Sequence, residues 1–144
     1  MDKKLKTFLD KNKIKYSLSE HKKVYTAFNE AETQHLKGKE VAKTVLVKTI
    51  VVVPAIKHVD FGKVKKALKA KKVSMAKESD ITKVLKTKIG LIHTFGYDLP
   101  VLVDNSLLKQ KELVMSAGSY TESLEMKPKD FLKVVEAVKG SFGK

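Results

Sequence analysis

The stretch Val41-Ala42-Lys43-Thr44-Val45-Leu46-Val47 has the alternating pattern of a β-strand with one lysine at its centre. Because side chains on a strand point alternately to its two faces, Lys43 shares a face with Val41, Val45 and Val47. A lysine is almost never fully buried without a partner. Lys43 therefore either extends along the apolar face to reach solvent at a sheet edge, or is held in a cleft that serves a function.

The chain around this strand is expected to form one domain, residues 1–144. With 42% hydrophobic and 32% charged residues, the composition is typical of a globular protein rather than a disordered one. No apolar run approaches the roughly 18–20 residues that span a bilayer, and the N-terminus has no signal-peptide pattern. We therefore expect a cytoplasmic protein that does not bind membranes.

The formal net charge is +14, and every one of the 30 basic residues is lysine. Such a charge favours a polyanionic partner, with nucleic acid first, although a compositional bias toward lysine would give the same count. The arginine fork that reads guanine edges is missing, so DNA is not expected as a partner and contact with an RNA backbone remains open. The chain has no cysteine, and its four histidines are scattered, so neither a metal nor another cofactor is expected.

The hydrophobic periodicity predicts a mixed α/β fold rather than a doubly wound parallel sheet. Asp2 and Asp60 are expected to cap helices, and Ser79 or Asp80 a third, with Ile81, Val84 and Leu85 facing inward. The predicted helices span residues 3–11, 27–36, 61–70, a segment from about 80, and 128–139; the predicted strands span residues 14–18, 41–48, 50–53, 73–75, 100–104, 113–117 and 122–126.

In their order and spacing, several segments together resemble the YbaK/ProX family of aminoacyl-tRNA deacylases, which is related to the editing insertion of bacterial prolyl-tRNA synthetases. The segments are Glu20-His21 with Thr26 and Glu30-Ala31, Val41-Ala42-Lys43-Thr44-Val45, Val52-Val53-Pro54-Ala55 with Val59-Asp60, the Gly90–Gly96 loop, Val101-Leu102-Val103-Asp104, Ser116-Ala117-Gly118, and Leu124 to Phe131. In the loop, His93 stands where many members have serine or threonine, and Thr94 where many have proline. This departure bears on amino-acid specificity.

The resemblance implies a single domain with a central mixed, partly barrel-like β-sheet surrounded by helices. It also implies hydrolysis of the aminoacyl ester of mischarged tRNA, with the tRNA acceptor end and an aminoacyl-tRNA synthetase as partners. In that case Lys43 would position the 3′-terminal nucleotide or the ester, and backbone amides of the Gly90–Gly96 loop and Gly118 would hold the carbonyl and a water. The implied substrate-binding residues are His21, Thr26, Gly90, His93, Thr94, Gly96, Asp104, Ser116 and Ala117.

Each of these residues also has an ordinary structural interpretation. Thr26 can cap a helix, Asp104 can cap the turn that follows it, and the glycines can serve turns alone. His93 beside apolar neighbours can be a structural histidine instead of a general base or a pocket wall. Two other functions stay open: a non-catalytic basic RNA-binding or regulatory module with the same fold, and a small-molecule ester or amide hydrolase.

Overall fold

Seven short strands form two β-sheets in the computed structural model, which describes residues 1–22, 41–47, 49–87, 91–97 and 99–144. The first sheet has the order β1-β6-β5 and is antiparallel throughout. The second has the order β2-β3-β4-β7, with β2 antiparallel to β3 and the other pairs parallel. The strands are β1 (Ser17–Glu20), β2 (Ala42–Leu46), β3 (Ile50–Pro54), β4 (Val101–Asp104), β5 (Leu113–Ser116), β6 (Glu122–Met126) and β7 (Ala137–Gly140).

The described residues also form five helices, whose caps follow the sequence closely. Asp2 accepts a hydrogen bond from the Leu5 amide, and Asp60 accepts one from the Lys63 amide, as predicted. Pro128 opens the last helix, a position where its missing N–H removes no hydrogen bond. The helices are α1 (Lys3–Lys11), α2 (Phe61–Leu68), α3 (Glu78–Leu85), α4 (Asn105–Leu108) and α5 (Pro128–Val134).

The main core lies between the two sheets. Leu46, Val52 and Val103 of the second sheet meet Met115 and Leu124 of the first, and apolar residues of α1, α3 and α5 close the core. A smaller cluster covers the other face of the second sheet, beneath α2. An isolated parallel bridge between Val41 and Val114 joins the two sheets. The mixed α/β class is thus confirmed; the described strands divide into two sheets, and neither closes into a barrel.

Several predicted boundaries were wrong. The first strand begins at Ser17 instead of residue 14, and residues 73–75 form no strand. The predicted final helix ends at Val134, because residues 137–140 form β7 instead and pair with the open edge of β4. Val138, which lies within the predicted helix, belongs to β7 and is 51% exposed.

The third helix starts at Glu78 with Lys77 as its cap, instead of at Ser79 or Asp80. Asp80 accepts a hydrogen bond from the Lys77 amide from inside the first turn. Ile81 and Leu85 are buried as predicted, whereas Val84 is exposed. The helix predicted over residues 27–36 lies outside the described residues. None of the described helices is long and apolar enough to cross a membrane.

Candidate active site

Lys43 lies on β2 with the face assignment that the sequence predicts. Val45 and Val47 belong to the cluster beneath α2, whereas Ala42 and Leu46 belong to the main core on the opposite face. The Lys43 side chain is half-buried, and its Nζ donates a hydrogen bond of 2.6 Å to the Lys57 carbonyl oxygen. Burial lowers the pKa of the Lys43 ammonium, because the charged form loses hydration.

The bridge between Val41 and Val114 determines what stands beside Lys43. The two strands run parallel there, so the residues two positions further along, Lys43 and Ser116, fall on the same face of adjacent strands. Ser116 in turn pairs with Ser123 across β5 and β6. By this register, Lys43, Ser116 and Ser123 lie on the same face of their strands.

His21 completes this arrangement. Its Nε2 lies 2.8 Å from the Ser123 hydroxyl oxygen, and its Nδ1 lies 2.7 Å from the Lys22 carbonyl oxygen. Since a carbonyl oxygen only accepts, Nδ1 carries the proton, and in the neutral ring Nε2 accepts from the Ser123 hydroxyl. We call Lys43, Ser116, Ser123 and His21 the polar row.

The loop that contains His93 and Thr94 contacts the opposite face of β2. The Thr94 hydroxyl lies 2.8 Å from the Thr44 hydroxyl, and Thr94 is only 2% exposed. Phe95 is buried in the main core between Phe8 and Phe131, with ring centroids 6.2 Å and 5.7 Å away. The loop is therefore anchored by a buried hydroxyl pair and a core aromatic ring.

His93 is held by its own loop. Its ring stacks on Tyr97 at a centroid distance of 5.0 Å, and its Nδ1 accepts a hydrogen bond of 3.2 Å from the Phe95 amide. Burial lowers the pKa of His93, and the nearby charge of Asp2 opposes this effect. Because Nδ1 is occupied as an acceptor, the neutral ring carries its proton on Nε2 and serves as a donor rather than a general base.

Gly118 is where the loop and the polar row meet. Its φ of +73° is a left-handed conformation, and a Cβ atom at this position would lie 2.7 Å from Asp2 Cβ and 3.5 Å from His93 Cδ2. The Gly118 amide donates a hydrogen bond of 3.1 Å to the Ser116 hydroxyl oxygen. Ser116 thus links the polar row to the loop through the Gly118 backbone.

A cavity of about 440 Å³ opens beside this junction, between α1 and the C-terminal end of α3. Its size falls within the range of about 300–1,000 Å³ typical of small-molecule sites. Most of its walls are apolar, with charged groups at Asp2 and at two lysines. Its lining includes Asp2, Leu5, Phe8, Leu85, His93 and Phe95.

Asp104 has a different place in the molecule. One carboxylate oxygen accepts hydrogen bonds from the amides of Phe142 at 2.7 Å and Gly143 at 2.9 Å, and the other accepts from the amide and hydroxyl of Ser106. Burial alone would raise the pKa of this carboxyl, but these hydrogen bonds outweigh it and hold the pKa below its usual range. The geometry favours the capping interpretation of Asp104 over contact with a substrate amine.

The sequence matches the aminoacyl-tRNA editing domain over residues 21–134, which is most of the chain. The chain belongs to this family. Among curated proteins, no sequence relative was found.

Solved structures agree with the editing-domain fold. The hypothetical protein APE2540 superposes with a TM-score of 0.90 at 18% identity, covering 99% of this chain and 100% of that one. A proposed trans-editing enzyme for prolyl-tRNA synthetase superposes with a TM-score of 0.86 at 17% identity, covering 100% of this chain and 99% of that one. At these identities the likeness shows the shared fold.

Within this editing domain, the structure divides the predicted site residues into groups. Lys43, Ser116 and His21 share the polar row, and His93 meets Gly118 at the junction. Three predicted residues lie with the loop or in the core: Thr94, Gly96 and the buried Ala117. Asp104 binds the C-terminal segment. Thr26 and Gly90 lie outside the described residues.

Sequence reasoning missed Ser123, Asp2 and Tyr97. Ser123 could have been found by pairing the two late strands across the turn at Gly118, because that register places it opposite Ser116. Asp2 was predicted only as a helix cap, and no local pattern brings it to Gly118. Burial raises the pKa of Tyr97 to about 12, partly opposed by the His93 backbone.

Proposed function

We propose that this editing domain is an aminoacyl-tRNA deacylase that acts in trans in the cytoplasm and hydrolyses the ester of a mischarged tRNA. The observation that carries the proposal is the placement of Lys43. Its ammonium is half-buried and has one hydrogen bond among the described residues, to the Lys57 carbonyl. An ammonium has three N–H donors, so two remain for a phosphate or ester oxygen of the substrate.

The reaction needs little from the protein, because an aminoacyl ester is already activated. Water adds to the ester carbonyl, the bond to the ribose oxygen breaks, and the amino acid leaves while that oxygen takes a proton. In our proposal a hydroxyl of the terminal ribose orders the water, and Lys43 positions the nucleotide. Positioning and aligned dipoles supply the rate enhancement.

The Gly118 amide is the proposed donor to the carbonyl oxygen that becomes negative in the transition state. In the free protein this amide is paired with the Ser116 hydroxyl, so the substrate oxygen would replace that hydroxyl. The exchange keeps the amide satisfied before and after binding. It also places the ester where the polar row and the loop meet.

The cavity beside Gly118 is the proposed pocket for the amino-acid side chain. Leu5, Phe8, Leu85 and Phe95 make its walls apolar. Asp2 faces the same cavity and would stand opposite the substrate ammonium. Such a pocket separates side chains that differ by one methylene by only about 1–3 kcal/mol, which is the usual reason for editing.

The proposal is tested by single-turnover deacylation of a panel of mischarged tRNAs. Lys43→Ala is compared with Lys139→Ala, because Lys139 is an exposed strand lysine on β7 and removes the same charge. We expect hydrolysis of at least one tRNA by the wild type, a strong loss in Lys43→Ala and no comparable loss in Lys139→Ala. Equal rates in all three proteins would exclude the role of Lys43.

A non-catalytic RNA-binding module with the same fold is the second candidate. The loop favours this candidate, since the two residues that differ from the usual family pattern turn their polar groups inward. Thr94 binds Thr44, and His93 accepts a hydrogen bond from the Phe95 amide. This candidate predicts tRNA binding without hydrolysis of any tested ester. A small-molecule hydrolase predicts instead a rate that does not change with salt, whereas tRNA binding weakens as salt rises.

A further inference from the structure

Half of the net charge of the chain lies in one short stretch on α2 and the segment after it. Residues 61–77 contain seven lysines and no acidic residue. The α2 lysine surface consists of Lys63, Lys65, Lys66, Lys69, Lys71, Lys72 and Lys77, and all but the half-buried Lys65 are exposed. Within the described part of the chain, no ion pair neutralises any of them.

The α2 lysine surface lies on the same side of the sheet as Lys43. Val64 of α2 packs on Val45 and Val53, which share the face of Lys43. The turn before α2 supplies the Lys57 carbonyl that accepts from Lys43. Eight helical residues then carry the surface about 12 Å away from that turn, at roughly 1.5 Å per residue.

Lys69 has a backbone conformation that disfavours a side chain, as Lys13 and Lys86 also do elsewhere in the described chain. It ends α2 at φ +54°, a left-handed conformation that most helix C-caps fill with glycine. Lysine side chains are compact charges that contact phosphates without reading bases. A surface of this kind is therefore suited to the backbone of a nucleic acid of any sequence.

A second concentration of lysines lies at the first sheet, but acidic residues accompany it. Five lysines, Lys13, Lys15, Lys127, Lys129 and Lys133, line a groove of about 350 Å³ at the far end of the first sheet. Three acidic residues line the same groove: Glu112, Glu125 and Asp130. Because opposite charges alternate there, the groove attracts phosphates less strongly than the α2 lysine surface does.

We propose that the α2 lysine surface binds the phosphate backbone of the tRNA acceptor arm and directs its 3′ end toward Lys43. The inference rests on the proposed function for the identity of the RNA. A membrane would need a continuous apolar face beside the lysines. The apolar face of α2 is buried against the sheet, and the exposed apolar side chains nearby, Ile56 and Met75, are single residues before and after the helix. The surface thus holds the substrate, and Lys43 and Gly118 act at its end.

The test compares two fourfold variants that remove equal charge from the full chain. One carries Lys66→Gln, Lys69→Gln, Lys71→Gln and Lys72→Gln; the control carries Lys13→Gln, Lys15→Gln, Lys127→Gln and Lys129→Gln. Each set contains one lysine in the left-handed conformation, so backbone strain is matched as well. Circular dichroism confirms that both variants fold.

The measurement is the affinity for deacylated bulk tRNA as a function of salt concentration, which requires no catalysis. The slope of log K against log salt is about −0.7 to −0.9 per phosphate contact, so four lost contacts should reduce it by about 3. We expect this reduction in the α2 variant and a much smaller one in the control. Equal reductions, a larger reduction in the control, or no salt-dependent binding by the wild type would overturn the inference.

Two further arms separate the possible failures. A wild type that binds tRNA with the expected difference but deacylates nothing would retain the surface and refute the proposed reaction. A wild type that deacylates with both variants equally impaired would retain the reaction and refute the surface. Equally strong binding to vesicles of anionic phospholipid, lost in the same α2 variant, would show a general anion surface and overturn the assignment to tRNA.

Discussion

Gly118 and Gly96 offer a matched pair that tests the packing at the proposed site. Both have left-handed backbones, with φ +73° and +78°. They differ in the space that a Cβ atom would meet. At Gly118 the nearest atom is Asp2 Cβ at 2.7 Å, whereas at Gly96 it is Phe8 Cδ2 at 3.9 Å. Substituting each glycine by alanine therefore separates backbone strain from steric overlap.

The expected losses of stability follow from these distances. A left-handed alanine costs about 1–2 kcal/mol, and the stiffer unfolded chain returns about 0.4–1 kcal/mol. Gly96→Ala should therefore destabilise by roughly 1 kcal/mol. Gly118→Ala adds the overlap with Asp2, and overpacking typically costs about 1–3 kcal/mol more. We expect a total of about 2–4 kcal/mol for Gly118→Ala.

Urea unfolding monitored by circular dichroism measures both values, and thermal unfolding provides a second readout. For a chain of 144 residues, 1 kcal/mol corresponds to a shift in Tm of about 3–4 °C. Equal losses in the two variants would refute the close approach of α1 to Gly118. If Gly118→Ala folds, its deacylation rate should also fall more than that of Gly96→Ala, because the added methyl displaces the helix start that borders the cavity.

Three further predictions concern charged residues. Burial lowers the pKa of Lys43, so the deacylation rate of the wild type relative to Lys43→Met should decline as pH rises through that lowered pKa. The free energy of unfolding should rise over the same pH range, because the unfolded chain binds the proton more tightly than the folded one. Asp104→Asn should cost about 1–3 kcal/mol at neutral pH by urea unfolding, and the wild type should lose this difference as pH falls through the lowered pKa of Asp104. Lys69→Gly should raise stability by about 0.5–1 kcal/mol in the same assay by relieving the left-handed φ, and a loss instead would contradict the assigned backbone.

The fold was predictable where the sequence of a single element is enough to determine its structure. Alternation in the stretch around Lys43 and the two aspartate caps required only local rules, and the structure confirms them. The prediction of the last helix was wrong at its C-terminal end, because the length of that helix depends on pairing with a strand that is distant in sequence. β4 leaves one side open, and residues 137–140 pair with it although their sequence also permits a helix.

The site was less predictable for the same reason. The family resemblance implies that Lys43 and the loop of His93 share one site. Strand alternation, however, sends Lys43 and Thr44 to opposite faces, and the loop binds Thr44. The face of β2 that the loop contacts is determined by the packing of Phe95 into the main core. No local pattern contains that information.

The proposed role of Ser116 is to connect these opposed faces. A site that uses both Lys43 and the cavity beside His93 needs an element that reaches from one face of the sheet to the other. The end of β5 does so: Ser116 points to the face of Lys43, Ala117 is buried in the core, and Gly118 turns the chain back beside His93. A larger residue in that turn would overlap Asp2. In the proposed site, the Ser-Ala-Gly sequence would join the nucleotide side to the amino-acid side. Ser116→Ala tests which group binds the ester oxygen. If the Gly118 amide does, the variant should free that amide and leave deacylation largely intact, whereas a severe loss would assign the contact to the Ser116 hydroxyl.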